Sequence, residues 1–231
     1  MPKALSTLVL LPFAVGACSS EPADGPEYED TGTPAGDTGT GPDVDFYQGS
    51  EPFTEGMERL SIGIFYEGPS SELIEVDDTT THYYIYDDEF TNEVTYETYP
   101  DTEDRLEGYL SDVIVHAGGD WWGGGVHWDT ATDLSSWDLL HLSLKTSDSG
   151  FSGTDVAIQS SGGTEGKLTL SNYGFATDGE WHSLQIPLSD FSASGLDLTA
   201  ITAPFVLVAA GGTAGEELRI DEVYFSKAAT E

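Results

Sequence analysis

Short β-type runs, broken by Gly, Asp, Ser or Asn, fill the chain from Met57 onward. No apolar stripe with helical spacing persists beyond two turns there, whereas several runs alternate apolar and polar residues. Leu140, Leu142 and Leu144 point one way, for example, and the polar residues between them point the other. Each such strand buries one face, so the pattern predicts an all-β fold.

The spacing of these runs predicts a two-sheet antiparallel β-sandwich of the jelly-roll type. A helical signal is present only at residues 102–110, where we expect a minor element. The candidate strands are residues 58–66, 72–76, 81–86, 93–99, 109–116, 124–128, 139–145, 155–160, 167–170, 181–187, 205–209 and 218–225.

The beginning of the chain predicts export. An apolar run at residues 4–17 follows Lys3 and ends in small residues, which is the layout of a secretory signal and is too short to span a bilayer. Cys18, the only cysteine, comes next, and Val-Gly-Ala-Cys resembles the lipobox of bacterial lipoproteins. The resemblance implies a signal peptide over residues 1–17, a lipid on Cys18 and, with Ser19 following, residence at the outer membrane or cell surface. The alternative is an unlipidated exported protein whose Cys18 lies in a discarded leader.

Residues 18–56 are rich in Thr, Gly, Pro and Asp and have no apolar periodicity. Such a composition does not bury enough apolar surface to fold, so we expect a disordered acidic tether. The folded domain is then residues 57–231, long enough for a single core. With one cysteine, a disulfide within the chain is impossible.

The charge balance limits the partners. Lys and Arg total 7 and Asp and Glu total 42, a formal net charge of −35. Such a surface repels nucleic acid and anionic headgroups, so we expect no nucleic-acid partner and membrane contact through the lipid anchor only. The carboxylates serve as a solvated surface, as divalent-cation ligands, or as both.

Glycines, tryptophans, histidines and aspartates crowd residues 116–129, a combination that suits sugar binding. Alternation places Trp122 and Trp128 on one face and Trp121 and His127 on the other, so that one face packs while the other binds. We expect Trp121 and His127 to be exposed. The predicted carbohydrate-binding residues of this stretch are Asp120, Trp121, Trp122, His127 and Trp128.

A second aromatic group lies at residues 83–88. Tyr84 and Tyr86 share one face if Ile85 and Tyr83 point inward. Tyr84 and Tyr86 are therefore further candidates for sugar binding, and a cross-strand aromatic ladder of purely structural value is the alternative.

Three segments carry a resemblance: DLSSWDLLHLSLK at 133–145, DGEWHSLQIPLSDF at 178–191 and LRIDEVYF at 218–225. Together they resemble β-jelly-roll carbohydrate-binding modules of the galactose-binding-domain-like superfamily. LSIGIFYEG at 60–68 is similar to the opening strand of those modules, although Gly63 and Ile64 stand where Asp is common. The resemblance covers residues 57–227, implies that Trp137 and Trp181 pack the sandwich, and implies carbohydrate binding.

The same resemblance implies a structural calcium ion that joins Glu67 to Asp221. Asp221 interrupts the alternation of its strand, and a bulge there would redirect its carboxylate. Oxygen ligands without thiols favour calcium over zinc, and a zinc site at His116 and His127 lacks a third ligand. The alternative for Asp221 is an ordinary solvated carboxylate.

We therefore predict a surface-anchored lipoprotein whose sandwich binds polysaccharide without catalysis. One alternative is a polysaccharide lyase or hydrolase on a jelly roll. A lyase needs basic residues that this chain has only singly, whereas paired carboxylates for a hydrolase are not excluded by counting. The other alternative is a structural or adhesive cell-surface protein.

Overall fold

The computed structural model describes residues 57–193 and 195–228. The predicted signal peptide, the lipidated Cys18 and the tether at 18–56 lie outside these residues. Within the described part, no helix is long and apolar enough to cross a membrane.

Most regular elements of the described chain are strands, as predicted. Three strands match their predicted bounds, and the others differ by a few residues at their ends. The elements are β1 (Met57–Ile62), β2 (Glu72–Ile74), β3 (Thr81–Ile85), β4 (Tyr96–Asp101), β5 (Ser111–His116), β6 (Trp121–Trp128), β7 (Leu139–Lys145), β8 (Asp155–Ser160), β9 (Glu165–Thr169), β10 (Trp181–Pro187), α1 (Leu188–Ser192), β11 (Ile201–Ala210) and β12 (Glu217–Ala228).

The strands form two sheets packed face to face. The larger sheet has seven strands, in the order β10-β7-β12-β1-β2, with β5 added to β12 and β4 added to β5. The smaller sheet has five strands, in the order β3-β6-β11-β8-β9. All pairs are antiparallel except β1 with β2, which is parallel and corrects the purely antiparallel expectation at one edge.

The core lies between the sheets and is filled by the inward residues of each strand. Leu140, Leu142 and Leu144 of β7 are buried as their alternation predicts. Phe205 and Leu207 of β11 face them from the smaller sheet and belong to the same apolar cluster. Because alternation continues across each sheet, the residues between these positions form an outer face.

The minor helix expected at residues 102–110 is wrong. This stretch, which we call the strap, has no regular structure and is attached by side-chain contacts to distant strands. Arg219 of β12 contacts the Asp104 carboxylate at 3.4 Å, and Lys145 of β7 contacts the same carboxylate at 2.9 Å. Along the chain, Asp104 lies 41 residues from Lys145 and more than a hundred from Arg219, so local sequence does not encode these contacts.

A bulge at Asp221 confirms the interruption predicted in β12. The register between β12 and β7 shifts between Asp221 and Tyr224, and Glu222 has a φ of 56°. The bulge lets β12 pair with β5 before it and with β1 after it.

Candidate functional site

Strand β6 presents its two faces to different surroundings. Trp122 and Val126 face the core, and Trp122 is 0% exposed, so its predicted role in sugar binding is wrong: no ligand reaches its ring. Trp121 and His127 lie on the opposite, outer face of the smaller sheet and are partly buried. Gly124 is required on the inner side because the Tyr96 hydroxyl occupies the space of a Cβ there.

Strand β3 and Tyr86, the residue after it, add three side chains beside β6 on this outer face. His82 pairs with His127 and Tyr84 with Gly125 in the strand register, and the Tyr86 backbone N–H continues the pairing by donating to the Gly123 carbonyl at 2.9 Å. Ile85 and Tyr83 pack against the core, as predicted.

These aromatic side chains are in contact along the sheet edge. The rings of His82 and Tyr84 stack with centroids 5.5 Å apart, and Tyr84 meets His127 edge-on at 5.4 Å. The Tyr86 hydroxyl lies 2.7 Å from His127 Nε2, and its ring is 6.5 Å from that of Trp121. We call His82, Tyr84, Tyr86, Trp121 and His127 the aromatic row. Tyr84 is 48% exposed, which leaves its ring available for stacking.

The outer face next to the aromatic row is lined by small residues. Across the sheet, Gly125 pairs with Val206, and Val206 pairs with Ala157. Ala157, Ala203 and Val206 form an apolar cluster separate from the main core, and the Tyr86 ring packs against it. The aromatic row therefore lies beside a surface of small side chains. We call this surface, made of Gly125, Ala157, Ala203 and Val206, the floor.

Polar side chains border this floor on its other side. Lys167 of β9 pairs with Ala157, and Glu165 pairs with Gln159 of β8. The Gln159 amide donates to the Glu165 carboxylate at 2.9 Å, and the Lys167 ammonium lies 3.4 Å from the same side chain. Amide, carboxylate and ammonium groups beside aromatic rings supply the hydrogen bonds and the stacking surface that a sugar uses.

Tyr86 and His127, the central pair of the aromatic row, are both uncharged at neutral pH. Burial raises the pKa of Tyr86, with a further rise from the Glu165 charge, so the phenol stays protonated. Burial, with a smaller contribution from His82, lowers the pKa of His127. A neutral phenol beside a neutral imidazole suits an uncharged, hydroxyl-rich ligand better than an ionic one.

Trp121 is held at the end of the row by a turn. The backbone N–H groups of Thr91 and Phe90, and to a smaller extent the Trp121 side chain, hydrogen-bond to the Asp88 carboxylate and lower its pKa. Asp120, predicted to bind sugar, is exposed in the loop that precedes β6, where its carbonyl accepts the Gly211 N–H at 2.6 Å.

Trp128 does not join the aromatic row. It points to the inner side at the end of β6 and is partly buried against the core, so the structure separates it from Trp121 and His127. Four residues of the row or of the border across the floor were not predicted: His82, Gln159, Glu165 and Lys167. Alternation in β3, β8 and β9 shows that each shares a face with its neighbours, but the pairing that brings the strands together is not in the local sequence.

The two residues implied for calcium, Glu67 and Asp221, both accept hydrogen bonds from backbone amides. Asp221 Oδ2 accepts the Leu106 N–H at 2.7 Å and Asp221 Oδ1 accepts the Glu222 N–H at 2.8 Å, while Glu67 Oε2 accepts the Tyr109 N–H. Backbone amides therefore donate to three of the four carboxylate oxygens of this pair. The described residues also contain no group of three or more His, Cys, Asp or Glu side chains arranged to hold a metal ion. Glu67 and Asp221 lie beside the same strap, where backbone amides compete with a cation for their oxygens, and calcium binding there stays a prediction.

Burial favours the protonated, uncharged forms of the acids in this region. Glu107 is 2% exposed, one of its oxygens accepts the Glu67 N–H at 2.6 Å, and its other oxygen has no partner. Burial, followed by the charges of Asp221, Glu67 and Glu222, raises the pKa of Glu107 to about 8. Burial likewise raises the pKa of Asp221 to about 7. Glu107 is therefore mostly protonated, and uncharged, at neutral pH.

The two histidines considered for zinc are also apart. His116 Nε2 lies 2.7 Å from the Gly211 carbonyl, and its Nδ1 accepts the Gly118 N–H at 2.7 Å. His127 lies on the outer face with Tyr86. Both ring nitrogens of His116 thus have protein partners.

Comparison with known families decides what this sandwich is. The family described as carbohydrate binding domain 30 matches residues 71–227, well over half of the chain. The chain belongs to the carbohydrate binding domain 30 family. This match covers β2 to β12 and includes the whole aromatic row, whereas β1 and the segment at 63–67 lie before it.

Solved structures similar to this family 30 chain include other modules. The family 30 module of the cellulosomal cellulase Cel9D-Cel44B of Clostridium thermocellum is 17% identical, with 60% of this chain and 88% of that chain covered and a TM-score of 0.48. The family 11 module from Clostridium thermocellum, in complex with a β-1,3-1,4-mixed-linked tetrasaccharide, is 16% identical, with 62% and 95% covered and a TM-score of 0.41.

An enzyme is also among the similar structures. The exo-1,3/1,4-β-glucanase from a Pseudoalteromonas species is 13% identical, with 66% of this family 30 chain but 20% of that chain covered and a TM-score of 0.46. No curated protein sequence matches the chain.

Proposed function

We propose that this chain is a surface-anchored lipoprotein whose family 30 domain binds polysaccharide non-catalytically on the outer face of the smaller sheet. The observation that carries the proposal is the aromatic row beside the floor of Gly125, Val206 and Ala157. A sugar ring stacked on Tyr84 or Trp121 keeps its hydroxyl groups within reach of polar neighbours.

The charges of the site favour a neutral glycan. The net charge of −35 repels uronates and sulfated chains, and the one ammonium on this border, that of Lys167, is already paired with Glu165. The neutral Tyr86 and His127 pair offers hydrogen bonds without attracting an anion. We therefore expect glucans, xylans, mannans or galactans as ligands ahead of acidic polysaccharides.

Titration calorimetry across such a panel tests the proposal. At least one neutral polysaccharide should bind, and Tyr84→Ala should weaken its binding about tenfold, about 1.4 kcal/mol. Tyr99→Ala is the matched control, because Tyr99 is 40% exposed but lies on β4 of the larger sheet. If no polysaccharide of the panel binds, or if the two variants lose the same binding affinity, the outer face is not the site.

The non-catalytic part of the proposal has its own assay. The polysaccharide that binds should release no new reducing ends during prolonged incubation with the protein. Release that survives further purification would instead support the hydrolase alternative, and unsaturated products would support the lyase.

The lipid anchor rests on Val15-Gly16-Ala17-Cys18 and is proposed on that motif alone. In cells fed a labelled fatty acid, the chain should carry label and fractionate with membranes. Cys18→Ser should abolish both. An unlabelled chain in the soluble fraction would contradict the lipid anchor and support an unlipidated, exported binding protein.

A further inference from the structure

A second concave site lies on another side of the sandwich. A pocket of about 390 Å³ opens between β2 of the larger sheet and the start of β3 in the smaller sheet. Its apolar wall is made of Trp128, Trp137 and Leu73, and Leu73 is half exposed. Trp128 points away from the aromatic row, so this pocket is separate from the outer face. Its volume is within the range of small-molecule sites.

The polar wall of this pocket is acidic. Glu72, Glu75, Asp77 and Asp133 line it, and no Lys, Arg or His does. Among the ion pairs formed by described residues, none includes these four carboxylates. An anionic ligand is therefore repelled, whereas a ligand with a positive charge gains from every carboxylate.

An ammonium already binds an indole beside this pocket. The Lys227 ammonium lies 4.2 Å from the centre of the Trp137 ring while it pairs with Glu58 at 3.0 Å. This is the combination of aromatic face and carboxylate that stabilises a cation. Trp128, partly buried in the same pocket, offers a second indole next to carboxylates that no cationic side chain of the described residues pairs with.

Hydroxyl groups complete the lining. Thr80, Thr81 and Thr132 contribute side chains to the pocket. A pyranose has a C–H face for the indole and hydroxyls for these threonines, and a protonated amine on that ring addresses the carboxylates. We propose that this pocket binds a saccharide that carries a protonated amine, such as a glucosamine unit.

Three dimers with one β-1,4 linkage test the charge directly, because they differ only at C2. The glucosamine dimer carries an amine, the N-acetylglucosamine dimer an acetamide and cellobiose a hydroxyl. In titrations of the full chain at pH 6, the glucosamine dimer should bind about tenfold more tightly than the other two, equivalent to about 1.4 kcal/mol. Equal binding of the three dimers overturns the proposal.

Paired variants separate this pocket from the general negative charge. Glu72→Gln with Glu75→Gln removes two charges from the pocket while keeping the size and shape of both side chains. Glu97→Gln with Glu103→Gln removes the same charge from exposed positions outside it. Binding of the glucosamine dimer should fall about fivefold in the first variant and stay within twofold in the second, because each contact to an exposed carboxylate is worth about two- to threefold. Equal losses in both variants overturn the proposal.

One further variant and two competitors identify the site and the class of ligand. Trp121→Ala should leave binding of the glucosamine dimer unchanged, so failure of this pocket is distinguishable from failure of the outer face. Lysine methyl ester should compete only weakly, because it has the amine but no pyranose ring. Effective competition by lysine methyl ester or by Ca²⁺ at millimolar concentration contradicts a saccharide site.

Discussion

Trp121 and Trp122 are neighbours in sequence and belong to different parts of the protein. Trp121 stands in the aromatic row, while Trp122 packs edge-on against Tyr96 and Phe151 inside the sandwich. The indole N–H of Trp122 is buried without a partner, a cost that its apolar contacts must exceed. Trp121 is therefore a candidate for ligand binding, whereas Trp122 stabilises the fold.

Alanine at each position should separate the two roles. Trp122→Ala leaves a large cavity and should lower the free energy of unfolding by about 3–5 kcal/mol. Trp121→Ala should cost much less stability, because its ring is partly exposed, yet it should weaken glycan binding. Urea unfolding monitored by circular dichroism measures the first effect and calorimetry measures the second. A Trp122→Ala protein as stable as the parent would contradict the burial of this ring.

Glu107 gives the protein a pH dependence of definite sign. Its pKa is about 8 in the folded chain against an ordinary value of 4.5, so the unfolded chain loses its proton first as pH rises. The free energy of unfolding should therefore fall between about pH 4.5 and pH 8. Glu107→Gln cannot ionise, and its unfolding midpoint should fall less over this window, with the remaining fall due to Asp221 and Asp112, whose pKa values burial raises to about 7 and about 6. Calorimetric midpoints at pH 5 and pH 8 that change in parallel for both proteins would contradict the assignment.

At the scale of elements, the strap shows how a segment without regular structure is fixed in place. Asp104 receives the Lys145 ammonium at 2.9 Å and the Trp181 indole N–H at 3.0 Å, and Arg219 Nε lies 3.4 Å from it. Trp181 was expected to pack the sandwich, but its side chain lies on the outer side of β10, opposite the buried Leu184 and Ile186, and bonds to the strap. The strap thereby ties β7, β10 and β12 together.

Removing the charge of Asp104 tests how much the strap depends on ion pairs. Asp104→Asn keeps an oxygen for the Trp181 N–H but loses the attraction to Lys145 and Arg219. Because these groups are partly exposed, the loss should be about 1 kcal/mol at low salt and smaller at high salt. Chemical unfolding at two salt concentrations measures it, with Glu97→Gln as a surface control. A loss that does not shrink with salt would point to packing instead.

Sequence alone predicts those elements whose signal is local. The alternation of Leu140, Leu142 and Leu144 defines β7, and the same period separates the faces of β6 correctly. It does not say which β6 face meets the core, because that depends on β11 pairing beside it. The strap and the parallel β1 and β2 pair were missed for the same reason, since contacts between distant residues fix both.

At the scale of the whole molecule, the net charge of −35 and the satisfied carboxylates have a joint consequence. Any salt screens the repulsion between surface acids and should raise the unfolding midpoint modestly. Because the Asp221 and Glu67 oxygens accept amide protons, calcium should add nothing beyond that screening. The unfolding midpoints of the protein in CaCl₂ and in MgCl₂ of equal ionic strength should agree. A calcium-specific rise reversed by a chelator would show that the strap rearranges around the ion.

Residue-resolved NMR shows whether carbohydrate binds on the outer face of the smaller sheet. Titration of the ¹⁵N-labelled chain with the oligosaccharide that binds best should shift the Gly123 and Gly125 amide signals and the Trp121 indole signal. The Trp122 indole and the amides of β4 and β5 should stay in place. Shifts confined to the larger sheet at saturating ligand would contradict the account.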